Sequence, residues 1–168
     1  MVHDHFRVRC AVSLEKAKAH LRRWNRDADV QEHEHSSATV ELAAEALGTD
    51  PGRIAKTLSF LNGERTILLL AAGDARVDSS RFKKTFGVKK VKMVPAEEVE
   101  ERTGHAVGGV CPFGVPESAD VYLDTSLRRF ETVFPACGSA NSSIELTLPE
   151  LEEYSGAKGW VDVCRNWN

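Results

Sequence analysis

A chain of 168 residues is long enough to bury a core without disulfides or metals, and a net charge of -3 excludes a protein whose whole surface is built for nucleic acid. Charged residues at 28% and aromatics at 7% exclude low-complexity and fibrous classes, and the longest apolar run, residues 67–72, is far too short to cross a bilayer. The expectation is one cytosolic domain over residues 1–168, its four cysteines (Cys10, Cys111, Cys137, Cys164) reduced and without the CxxC spacing of a zinc site.

In chain order, Ser13 is expected to cap a helix whose apolar stripe is Leu14, Ala17, Leu21 and Trp24. An edge strand is predicted over 30–35. Thr39 then caps a second helix carrying Val40, Ala43, Ala44 and Leu47, and Gly48 closes it. Residues 55–61 and 65–72 flank Asn62-Gly63, the pair suited to both centres of a type I′ turn, which predicts a hairpin. Asp78 caps a helix stopped by Gly87, a strand is expected over 91–94, and Pro95 opens a helix ending at Gly104. Further strands are expected over 121–123, 131–134, 143–146 and 160–164, with a short helix starting at Pro149. Such an order predicts a mixed α+β fold, a mixed sheet wrapped by helices.

Strand alternation puts Lys56 with Leu58 and Phe60 on the more apolar face of the hairpin. A lysine there either serves a site or snorkels its amine to water, and periodicity separates neither. Arg81, Lys83, Lys84, Lys89, Lys90 and Lys92 crowd one short stretch, which is either a solvated face or a phosphate-contacting patch. His33 and His35 share one side of the edge strand, but a third metal ligand is missing, and no metal or cofactor is expected.

Residues 104–114 hold four glycines and a proline between a helix and a strand. Such a run lets backbone amides approach a ligand, although it also serves as a tight connection. It is not a P-loop, because GK[ST] is absent, and Gly104 follows a helix instead of opening one.

Gly104, Gly108 and Gly109 with residues 110–114, together with Ala55-Lys56-Thr57-Leu58, resemble the GxxxGG loop and lysine strand of the YbaK/EbsC family, the prolyl-tRNA synthetase-associated domain. The likeness spans roughly residues 31–155, and residues 138–146 are similar to the family's last pocket strand. The resemblance implies a mixed sheet curled into a partial barrel, surrounded by helices. It also implies a trans-editing hydrolase that deacylates mischarged aminoacyl-tRNA, most often tRNA-Pro carrying cysteine or another small amino acid. Lys56, an unshifted cation, would clamp the ester electrostatically, and the amides of Gly108 and Gly109 would hold the oxyanion. Substrate contacts would come from His35, Thr39, Thr57, Val110, Phe113, Gly114, Gly138, Ser139 and Asn141, with Thr57, Ser139 and Asn141 choosing a small or hydroxylated side chain. Thr57 stands where the alanine-editing branch carries asparagine, and no histidine follows His105. Cys111 and Cys137 are expected to be buried hydrophobes and not nucleophiles. The implied partners are aminoacylated tRNA and, as a helper, a prolyl-tRNA synthetase. The alternatives are a non-catalytic tRNA- or synthetase-binding module and a small-molecule hydrolase reusing the pocket.

Overall fold

The structure is a computed structural model and describes residues 2–34 and 39–166. Helix α1 (Val2–Leu21) begins well before Ser13, so that serine is an interior residue and not the expected cap. Its hydroxyl is committed to tertiary contacts: it bonds His105 Nδ1 at 2.8 Å and accepts from Ala106 N at 3.3 Å. Ala17 and Leu21 of the expected stripe are fully buried.

Strand β1 (Gln31–Glu32) is shorter than the run predicted, and His35 lies outside the described residues. Thr39 caps α2 (Val40–Leu47) by accepting from Leu42 N at 3.1 Å, and Gly48 ends it at φ 65°. Both signals are local, so both are visible in sequence.

Strands β2 (Ile54–Asn62) and β3 (Arg65–Ala72) form the predicted hairpin, but Asn62 pairs with Arg65, so the turn residues are Gly63 and Glu64. Of these only Gly63 takes a positive φ, 62°, the pattern of a type II′ turn and not the expected I′. After β4 (Arg76–Val77), Asp78 caps α3 (Ser79–Phe86) and Gly87 closes it. The strand expected over 91–94 reduces to one bridge, Phe60 with Met93, flanked by Leu61 N to Lys92 O (2.8 Å) and Val94 N to Ser59 O (3.0 Å). Pro95, which has no N–H for a ladder, begins α4 (Ala96–Thr103).

Strands β5 (Ala119–Asp124) and β6 (Thr132–Pro135) follow the prediction closely. The strand expected over 143–146 is instead two, β7 (Ser142–Ser143) and β8 (Leu146–Thr147), because the chain leaves β1 and joins β6 there, burying Ile144 completely on the way. Thr147 and Glu150 form a reciprocal capping box on α5 (Leu148–Ser155). The final strand is likewise split, into β9 (Gly159–Val161) beside β5 and β10 (Cys164–Arg165) beside β4.

The main sheet runs β8-β6-β2-β3-β5-β9 and is mixed: β2 and β3 are antiparallel, while β2 with β6 and β3 with β5 are parallel. It curls into a partial barrel with the helices around it. Strand β3 is covered on both faces, with Ile67 to Ala72 all at most 1% exposed, and packs on Phe82, Phe113, Leu123 and Leu127. A second, smaller apolar cluster joins Ala44, Val40, Ala43 and Leu47 of α2 to Ile54 and Phe134. Among the described residues no helix is long and apolar enough to cross a membrane.

Candidate active site

The smaller cluster floors a cleft of about 240 Å³. Its position follows from how β2 is paired along its outer edge. At one end Ala55 pairs with Pro135 of β6; at the other, Ser59 and Leu61 bond the segment around Met93. Thr57 falls between these pairings, and the cleft opens on that stretch of edge, which lets Lys56 and Thr57 both line it although they alternate across the strand.

Val40, Ala43 and Leu47, with Ile54 and Phe134, supply apolar lining; Thr39, Lys56, Thr57, Ser139, Ser142 and Ser143 supply polar groups; Gly108 and Val110 bring the glycine loop to the same space. Six residues expected at a site therefore meet here: Thr39, Lys56, Thr57, Gly108, Val110 and Ser139. The apolar lining and the Ser142-Ser143 pair were not foreseen. Val40, Ala43 and Leu47 read in sequence as an ordinary core-facing stripe, and serines in a strand carry no mark of their own.

Five other expected site residues are placed behind the cleft. Phe113 is fully buried in the main core. Gly114, at φ 79°, packs on α1, where a Cβ would come 3.0 Å from Lys16 O. Gly138 presses on the same helix, with a Cβ there 2.3 Å from Ser13 O. Gly109 packs against Gly138 just as closely, and its amide, expected to bind an oxyanion, donates to Ala106 O at 3.0 Å. Asn141 exchanges bonds with the His33 backbone, its carbonyl O accepting from His33 N at 2.8 Å and its Nδ2 donating to His33 O at 2.7 Å, and so fastens the β7 side to β1.

Lys56 is half-buried, and its ammonium donates to Gly73 O at 3.3 Å and to Ala75 O in the turn after β3. Neither snorkelling to bulk water nor an unshifted amine describes it: burial lowers its pKa, with Asp74 and Cys164 nearby acting in the opposite sense. Three N–H donors with two held by carbonyls leave one to point elsewhere.

His105 is enclosed behind the loop. Nε2 donates to Phe113 O at 2.6 Å, which makes Nδ1 the acceptor of the Ser13 hydroxyl, and burial pushes its pKa down to about 4. Burial also pushes the Cys111 thiol up to about 12 and Cys137 well above the ordinary range, so neither supplies a thiolate near neutral pH. Among the described residues no cluster of three or more His, Cys, Asp or Glu is placed to hold a metal.

Comparison with known proteins places the chain in a family. The chain is 55% identical over 157 residues, 93% of its length and 99% of the relative's, to "Uncharacterized protein YwhH" of Bacillus subtilis. It is 32% identical to "Putative Cys-tRNA(Pro)/Cys-tRNA(Cys) deacylase EbsC" of Enterococcus faecalis, covering 67% of this chain and 68% of that one. A solved structure described as "a putative trans-editing enzyme for prolyl tRNA synthetase" superposes with a TM-score of 0.82 at 30% identity, over 91% of this chain and 97% of its own. The model of the aminoacyl-tRNA editing domain matches residues 34–154, the segment that builds the cleft, and the chain belongs to that family.

Proposed function

We propose that this protein hydrolyses the ester of mischarged aminoacyl-tRNA in trans, on tRNA-Pro carrying cysteine or another small amino acid, with the aminoacyl group seated in the cleft of Lys56 and Gly108. The observation that carries the reading is a half-buried lysine and a glycine loop converging on one small cleft in a chain of the editing family. An aminoacyl ester is already activated, so its hydrolysis requires a positioned attacking group and stabilisation of the oxyanion, not a protein nucleophile.

In this reading the carbonyls of Gly73 and Ala75 aim the Lys56 ammonium, whose remaining N–H meets the ester or the terminal ribose. The Gly109 amide is already bonded, so loop donors at the cleft come from the backbone of Gly108 and Val110. The exposed lysines Lys83, Lys84, Lys89 and Lys90 hold the tRNA backbone. Support for cysteine and for prolyl tRNA comes from the names of the relatives alone.

The test is a deacylation panel with tRNA charged with cysteine, alanine, serine or threonine, offered to the wild type and to Lys56→Ala. The variant should lose about 100-fold or more in rate, the scale of one oxyanion donor. Equal rates on every substrate would sink the role of Lys56, and binding without turnover would return the chain to a tRNA-binding module. Reversing the four lysines should weaken tRNA binding and flatten its salt dependence.

A further inference from the structure

Among the described residues, two hydroxyls at the cleft have no partner. Thr57 Oγ1 and Ser143 Oγ are buried atoms without a hydrogen bond, and Ser143 as a residue is only 8% exposed. A buried hydroxyl left unpaired costs about 1–3 kcal/mol, so two lining one small cleft call for a reason. Their neighbours show that the wall is not polar by accident of strand composition. Ser139 Oγ bonds Asn141 Oδ1 (2.9 Å) and Ser142 Oγ (2.7 Å), and Ser142 Oγ bonds Ser139 O (3.2 Å), a closed set with the Asn141 amide spent on His33 O. Ser139 and Asn141, expected in sequence to choose the substrate, are thus occupied. The two unpaired hydroxyls belong to Thr57 on β2 and Ser143 on β7, and both residues line the cleft.

We infer that Thr57 and Ser143 are the specificity-determining pair, and that they select an aminoacyl group whose side chain bears a hydroxyl, serine or threonine, over an isosteric apolar one. The inference rests on the editing function proposed above and names its substrate class. A side-chain hydroxyl both donates and accepts, so it can serve two hydroxyl partners at once, whereas a methyl in its place leaves both unpaired. The same cleft offers Val40, Ala43 and Phe134 to the methyl group of threonine. Alanine fills neither part.

The test compares isosteric pairs as non-hydrolysable 3′-aminoacylamino adenosines: seryl with 2-aminobutyryl, and threonyl with valyl, measured by calorimetry alongside deacylation of seryl-, threonyl-, alanyl- and cysteinyl-tRNA. The wild type should bind each hydroxyl member about 10- to 100-fold more tightly than its isostere. Thr57→Val and Ser143→Ala should each shrink that ratio several-fold and together bring it near one. Removing an unpaired hydroxyl should leave the unfolding temperature unchanged or higher, which a merely structural role would not do. Ratios near one in the wild type, or unchanged in both variants, would overturn the inference while deacylation persists. Retained selectivity without any deacylation would instead overturn the enzymatic reading and leave the selection standing.

Discussion

The glycine loop and the segment packed behind it use one kind of residue for opposite ends. Towards the cleft, Gly108 at φ 90° meets almost nothing: a Cβ there would lie 3.8 Å from Ala140 Cβ, an ordinary contact. Towards the core, Gly138 has the same φ, but its Cβ would stand 2.3 Å from Ser13 O and 2.5 Å from the carbonyl carbon. The φ angle is therefore the same at the two, and the surroundings differ. Behind the loop the groups are paired and enclosed, as Ser13, His105 and Phe113 show; in front of it Thr57 and Ser143 are left unpaired. The rear fixes the loop, and the front is left with capacity to bind.

The largest effect that would sharpen this contrast is Gly138→Ala. Backbone atoms of α1 cannot move aside as a flexible side chain would, so overpacking adds to the left-handed strain, and the loss should be about 3 kcal/mol or more in urea unfolding. A loss below about 1 kcal/mol would show that α1 does not clamp the loop.

The next test is pH. The imidazole of His105 titrates at 6.5 when unfolded and at about 4 when folded, so between these values the unfolded chain binds more protons and stability rises with pH. The contribution is complete above about 6.5 and is lost as pH falls towards 4, amounting to about 3 kcal/mol at about 1.4 kcal/mol per pH unit. His20, also depressed by burial, acts in the same sense, so the measurement is the difference between the wild type and His105→Gln across pH 4 to 7. Parallel curves for the two proteins would remove His105 from the account.

Ser13→Ala should cost less, about 2 kcal/mol, because it unpairs both the imidazole Nδ1 and the Ala106 amide while leaving the ring bonded to Phe113 O. Thermal unfolding checks it, and Ser13→Cys should recover little, since a thiol is a weak donor.

Ser13 also shows where sequence reading stops. The caps Thr39, Asp78, Gly48 and Gly87 were legible because each acts on backbone within three or four residues of itself. Ser13 looked like one of them, yet its partner lies 92 residues away. The same non-locality divided the strands expected over 143–146 and 160–164, which change sheet partners midway. At the candidate site, the lysine and the glycines stood out by spacing, and Lys56 and Gly108 do reach one cleft. Nothing in spacing separates Gly108 from Gly109, one at the cleft and one wedged against Gly138, because that difference depends on what packs behind them. Nor could a pattern show that Ser139 is bonded and Ser143 is not.

The smallest stability effect is the one that isolates function. Gly108→Ala keeps the φ of 90° that any L residue finds costly, and adds a methyl with room around it, so the loss should be about 1 kcal/mol, well below that of Gly138→Ala. The methyl projects towards Ala140, itself part of the cleft lining, so it narrows the space where the aminoacyl group would sit. Deacylation of a small substrate should then fall about tenfold or more in kcat/KM although the protein remains folded at assay temperature, since misplacement by about 1 Å costs far more in rate than in stability. If activity and stability instead fell together, as expected for Gly138→Ala, the front of the loop would be scaffold like its rear, and the contrast between the two glycines would reduce to packing alone.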